Sequence, residues 1–263
     1  MEYFRFTQGS SPLLISMPHV GTHLPDALAS RMMPIARSVP DTDWHLERLY
    51  DFATQLGASL LAGTHSRYVI DLNRPPDDAN LYPGRDTTGL CPIDTFAKQP
   101  LYRIGEEPDA TEIRDRVRVY WKPYHNALQA ELTRLREVHG VALLWDAHSI
   151  ASRVPRFFAG RLPDFNLGTA DGRSCLAPIG AKMLGIAQAA AGYTSVLNGR
   201  FKGGYITRTY GDPTAGVQAV QLELSEITYM DEPPPFGFRE DLATTVRPHL
   251  RAMLEAFLEF ARH

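Results

Sequence analysis

Val141-Ala-Leu-Leu-Trp-Asp-Ala-His-Ser149 is the stretch whose reading decides the fold. Five apolar residues without polar alternation read as a strand buried on both faces. Gly140, just before them, stops a long helical pattern. The apolar run then gives way to Asp146 and His148. Three other apolar runs end in the same manner. LLISM (13–17) leads into Pro18-His19-Val20-Gly21, YVIDL (68–72) leads into Asn73-Arg74, and AVQLEL (219–224) carries Glu223 near its end.

Outward from these runs, strands alternate with helical patterns. Ser59–Leu61 and Thr194–Leu197 read as further strands. Helices are expected over 43–57, capped by Asp41 or Thr42 and closed by Gly57, and over 112–139, kinked or split by Pro123. Two more are expected over 178–191 and 240–262. This order predicts an α/β three-layer sandwich around a mostly parallel mixed sheet. In such sheets ligands bind beyond the carboxyl ends of the strands. Residues 77–108, rich in Pro, Gly and Asp, form a long irregular excursion of the kind that carries function in compact domains. The chain has 263 residues and 44% hydrophobic content, with no internal repeat and no linker. One domain spanning 1–263 is the simplest organisation.

Composition excludes several classes. A net charge of −3 with dispersed arginines gives no nucleic-acid or anionic-membrane surface. No segment approaches the length of a membrane span, and Met1–Gln8 lacks the basic flank and apolar core of a secretory signal. Cys91 and Cys175 are too few for a disulfide framework or a cysteine zinc site. A cytoplasmic protein is expected, and nothing in the sequence specifies an oligomeric state.

The four strand endings bring two histidines, a glutamate and an arginine to one rim of the sheet. Two histidines with carboxylates suit a catalytic zinc ion, which takes three protein ligands and keeps a position open for water. A nearby glutamate can then move the proton. Each residue also has a plainer role open to it. A strand-end histidine can bond a loop carbonyl, Asp146 can simply orient His148, and Arg74 can pair with Asp71 or Asp77. Glu223 in an apolar strand is harder to account for without a partner.

At these residues the sequence resembles the N-formylglutamate amidohydrolase family. The matching segments are SMPHVGTHLP (16–25), DTDWHLERLY (41–50), SRYVIDLNRPP (66–76), TTGLCPIDTF (87–96), LLWDAHSI (143–150), FNLGTADGRSC (165–175), NGRFKGGYITRTYG (198–211) and VQAVQLELSEITYM (217–230). They run through nearly the whole chain in order. A more distant likeness is to zinc carboxypeptidases. There, histidines equivalent to His19 and His148 hold zinc, a glutamate equivalent to Glu223 is the base, and an Asn-Arg pair equivalent to Asn73-Arg74 holds a carboxylate. The glutamate that the carboxypeptidase pattern places three residues after the first histidine is Thr22 here. The third ligand is therefore open, with Asp43 first, then Asp41 and His23.

The resemblance implies a phosphorylase/hydrolase-like fold and metal-dependent hydrolysis of N-formyl-L-glutamate to formate and L-glutamate, a step of histidine degradation. Zinc is the expected ion, although other divalent transition metals suit a nitrogen and oxygen site. The substrate is a small dianion. Arg74 with Asn73 is the expected anchor for its α-carboxylate. For the side-chain carboxylate the order is Arg208, then Arg67 and Arg156. A related zinc deacylase acting on another N-acyl or γ-glutamyl compound, and a non-catalytic carboxylate-binding protein, are the competing readings.

Overall fold

The computed structural model describes residues 2–262. Among them, seven strands form one mixed sheet. They are β1 (Phe4–Thr7), β2 (Leu13–Met17), β3 (Ser59–Gly63), β4 (Ala142–Ile150), β5 (Phe165–Gly168), β6 (Ser195–Leu197) and β7 (Val217–Ser225), in spatial order β1-β3-β2-β4-β7-β5-β6. The central run β3-β2-β4-β7 is parallel throughout. β1 joins one edge antiparallel, while β5 turns antiparallel against β7 and carries β6 beside it in parallel. The helices are α1 (Asp26–Ala29), α2 (Leu46–Leu49), α3 (Ala110–Arg116), α4 (Lys122–His139), α5 (Ala177–Ala189), α6 (Tyr205–Tyr210) and α7 (Glu240–Glu259).

The unbroken apolarity of the central strands has a direct cause. Leu13, Ile15, Leu143, Trp145, Val220 and Leu222 point to one face, where they pack against α5 and α7. Leu14, Leu144 and Ala219 point to the other, against Tyr124, Leu128, Leu132 and Leu135 of α4. Both faces are covered, so neither parity can be polar. This is the expected three-layer α/β sandwich.

Local structure departs from the sequence reading in several places. β1 and the short β5 were not anticipated. The expected helix over 43–57 starts only at Leu46, after His45 in a left-handed conformation at φ 61°, and is broken at Tyr50 into α2 and a 3-10 turn over Asp51–Leu56. Asp41 and Thr42 therefore cap nothing there, and Gly57 closes the 3-10 turn. YVIDL at 68–72 is not a strand. Its backbone bonds are short-range or loop contacts, with Val69 donating to the Ser66 carbonyl and Asp71 to that of Leu90. Its apolarity reflects burial instead: Tyr68 and Val69 lie among Met32, Leu101 and Tyr102, and Ile70 joins the α4 layer. Over 112–139 the helix neither kinks nor splits at Pro123. A π turn, Val117–Trp121, joins α3 to α4 and places Pro123 in the first turn of α4, where a missing N–H costs little.

Candidate metal centre and substrate cavity

β4 runs on past Trp145 to Ile150, so Asp146 and His148 belong to the strand itself and share one face. β7 lies beside it in register, with Glu223 paired to His148. His19 follows β2, the neighbour on the other side of β4. Gly21 lets the His19 loop lie close to residues 64–65, for a Cβ there would fall 2.4 Å from the His65 carbonyl oxygen. Asp43 reaches the same point from the bend before α2, its N–H donating to the His19 carbonyl.

The side chains of His19, Asp43 and His148 converge, each offering a ligand atom within 4.8 Å of the others, and all are buried. His148 Nδ1 lies 3.0 Å from Asp43 Oδ2 and His19 Nδ1 lies 3.6 Å from it. Each ring meets a second carboxylate through its other nitrogen. His19 Nε2 is 2.7 Å from Asp71 Oδ1, and His148 Nε2 is 3.1 Å from Asp146 Oδ1. Carboxylates behind the ligating histidines are typical of metal sites, where they fix ring orientation and raise basicity. Thr207 Oγ1 donates to Asp146, and the Asn73 amide stands 2.9 Å from His148 Nε2.

Charge and hydrogen bonding both fit a divalent cation. Asp43, Asp71 and Asp146 are at most 1% exposed, and Arg67 is the guanidinium that pairs with Asp71 (2.7 Å) and Asp43 (3.6 Å). Burial alone would raise the Asp43 carboxyl, yet His19 and His148 hold it below the usual carboxylate range. Burial likewise works against a charged His148, but Asp146 and Asp43 hold its imidazole well above the ordinary value. Asp43 Oδ1, 3.6 Å from the Arg67 guanidinium, and Asp146 Oδ1 are both buried without a hydrogen bond, so the cluster holds carboxylate oxygens that a cation would help to satisfy.

The other candidate ligands are committed elsewhere. Asp41 accepts from the Tyr68 hydroxyl and the Phe96 N–H, and the His23 ring packs edge-on against His65. Glu223 lines the cavity beside His19 and His148. Burial pushes its carboxyl up to about 8, with Asp43 and Asp146 adding to the shift against His148 and Arg67.

Around this floor the cavity is lined by Arg67, Asn73, Arg74, Arg200 and Gln221, with Tyr82, Phe96, Phe157 and Phe201. The 77–108 excursion thus contributes Tyr82, Thr87 and Phe96. Arg74 bonds neither Asp71 nor Asp77; it donates to the Thr88 carbonyl and the Asn73 carbonyl. Gly203-Gly204 is more than a plain turn. Gly203 has φ 112°, and a Cβ on Gly204 would sit 2.3 Å from the Asn73 amide nitrogen. The glycines admit the Asn73 side chain, whose Oδ1 accepts from Ile206 N–H.

Arg208 lies outside the lining. Its guanidinium donates to the carbonyls of Gly203 and Leu81 and stacks over Tyr82. Arg156, also outside, pairs with Asp86 and Asp94. Arg200 is the charged lining residue that the sequence did not single out; its one signal was its place in the NGRFKGG segment of the resemblance.

A model of the family described as N-formylglutamate amidohydrolase matches residues 11–230. The chain belongs to the N-formylglutamate amidohydrolase family. It is 54% identical to an N-formylglutamate deformylase of Pseudomonas putida over 253 residues, 96% of this chain and 94% of that one. A second deformylase, from Pseudomonas aeruginosa, is 54% identical over 261 residues, covering 99% and 98%. The crystal structure of an N-formylglutamate amidohydrolase from Ralstonia eutropha JMP134 superimposes with a TM-score of 0.84 at 25% identity, covering 100% of this chain and 99% of that one. As a member of this family the chain is an amidohydrolase by relationship, and its strand-end cluster is the place to seek the chemistry.

Proposed function

We propose that this amidohydrolase hydrolyses N-formyl-L-glutamate to formate and L-glutamate with a divalent metal, zinc in the first instance, held by His19, Asp43 and His148. The observation that carries the reading is the meeting of these three buried ligands with Glu223 on the floor of one cavity, beneath arginines. The names of the relatives support the substrate. In this reading the chain works as one domain in the cytoplasm, in histidine degradation. Among the described residues no helix is long and apolar enough to cross a membrane.

A divalent ion at this site supplies Lewis acidity, lowering the pKa of water to about 7 and polarising the acyl oxygen. Glu223 is the general base. The carboxyl of Glu223, raised by burial, would be drawn back towards its ionised form by a divalent charge held at His19, Asp43 and His148. It takes a proton from the attacking water and delivers it to the departing amine nitrogen. Arg67, kept charged by Asp71 and Asp43 against the pull of burial, adds positive field where the formyl oxygen gains charge. Asn73 and Arg74 hold the α-carboxylate. Arg208, the first choice from sequence for the side-chain carboxylate, lies outside the cavity lining with its Nε and Nη1 on backbone carbonyls, which favours a different side chain for that role.

The test is formate release from N-formyl-L-glutamate by protein as purified, after chelation, and after zinc is restored. Release that chelation abolishes and zinc restores supports the proposal. Metal-loaded protein that releases no formate from this substrate refutes it.

A further inference from the structure

Arg200 lines the same cavity as His19, Glu223 and Arg74. Its Nε donates to the Phe157 carbonyl at 2.7 Å, and its guanidinium makes no ion pair with the described residues. Aromatic rings form a collar around it, with centroids 5.2 Å (Tyr82), 5.3 Å (Phe201) and 5.7 Å (Phe157) away. Burial weakens its hold on the proton, and the neighbouring Arg85 and Arg74 push the same way. A half-buried cation beside other cations is an unfavourable arrangement unless an anion completes it.

Of the other arginines near the cavity three are already matched, and Arg85, which makes no ion pair among the described residues, does not line it. Arg67 has Asp71 and Asp43, Arg156 has Asp86 and Asp94, and Arg208 has two backbone carbonyls. Arg74 and Arg200 are the two lining guanidiniums without a carboxylate partner among the described residues. That matches a substrate with two carboxylates. Arg74 stands beside Asn73, next to His148, at the reacting end. Arg200 is set in the aromatic collar, which restrains a long side chain and so preorganises its fork for a two-pronged carboxylate contact.

We infer that Arg200 binds the distal carboxylate of the acyl amino acid and thereby sets the preference for an acidic side chain over its neutral analogue. This rests on the deformylation reading above. The neutral isostere of the substrate is N-formyl-L-glutamine, which keeps the shape and the α-carboxylate and lacks the distal charge. A site built for a charged group rejects such an analogue strongly, because its own donors are left unpaired.

The experiment compares kcat/KM for N-formyl-L-glutamate and N-formyl-L-glutamine in zinc-loaded wild type, Arg200→Met and Arg200→Lys. The ratio within each protein does not depend on the fraction that is folded. Wild type is expected to favour the glutamate by about a hundredfold or more. Arg200→Met is expected to lose about ten- to a hundredfold on the glutamate, chiefly through KM, and little on the glutamine, collapsing the ratio. Arg200→Lys should keep part of the preference. An equal fall on both substrates, or an unchanged ratio, would overturn the inference while leaving deformylation intact. Zinc-loaded wild type that turns over neither substrate would remove the reading on which the inference stands, and with it the inference.

Discussion

Replacing Asp71 by Asn tests whether the carboxylates behind the histidines act through a bound metal. Asp71 is fully buried and has three donors on it: His19 Nε2 at 2.7 Å and the Asn73 N–H at 2.8 Å on Oδ1, and Arg67 at 2.7 Å on Oδ2. Burial would raise its carboxyl, yet His19, Arg67 and Arg74 hold it well below the ordinary range. An amide of the same shape offers one oxygen and one NH2. Whichever way it turns, an N–H meets either the Arg67 guanidinium or the His19 ring and the Asn73 N–H. Loss of a carboxylate behind a metal-bound histidine lowers metal affinity about ten- to a hundredfold, or about 1.4–2.7 kcal/mol. Leaving Arg67 with Asp43 alone should also reduce the stability of the metal-free protein, by about 3 kcal/mol. Zinc affinity is read by competition with a chromophoric chelator, and stability by urea unfolding in the presence of chelator. Activity should recover in part when zinc is raised above the new dissociation constant. Unchanged zinc affinity alongside lost activity would refute the reasoning, because Asp71 would then not be working through His19.

Three further outcomes are expected. Glu223→Gln should lower kcat by about a hundred- to ten-thousandfold while KM and zinc content stay near wild type, as steady-state kinetics and metal analysis would show. Gly204→Ala puts a Cβ 2.3 Å from the Asn73 amide, so Asn73 must leave His148. The expected results are a tenfold or greater fall in kcat/KM and a stability loss of about 1–3 kcal/mol by urea titration. His125 is stacked on Trp121, donates through Nε2 to the Leu72 carbonyl, and is pushed down to about 4 by burial. The unfolded chain binds the extra proton between about 6.5 and that value. Stability present above pH 6.5 should therefore decline towards pH 4, with about 3 kcal/mol attributable to this ring. Urea midpoints of chelated wild type and His125→Gln should diverge across that window, and parallel pH profiles would exclude the effect.

The parts of this site that were legible in the sequence are those whose physics is local. β2, β4 and β7 are covered on both faces, which makes them continuous apolar runs, and a polar residue within or just after such a run stands out. His19, His148 and Glu223 emerged in that way. Asp43 has no such marker. It lies between turns, and it is the left-handed His45 and the hydrogen bond to the His19 carbonyl that bring it to the cluster. YVIDL misled because burial beneath loops leaves the same apolar signature as burial in a sheet. β5 is short, contains Asn166 and Gly168, and pairs through long-range contacts that no local pattern encodes. The sequence reading put Arg208 first and did not raise Arg200. Both are arginines on irregular or short elements of an arginine-rich chain, and what separates them is which one lines the cavity.

The central claim is that His19, Asp43 and His148 together hold a catalytic divalent ion. Anomalous diffraction at the zinc edge from crystals of zinc-loaded protein tests it most directly. The account predicts one strong anomalous peak coordinated by His19 Nδ1, His148 Nδ1 and the Asp43 carboxylate, absent from chelated crystals. Zinc bound at another group of residues, or no peak at this cluster in active protein, would contradict it.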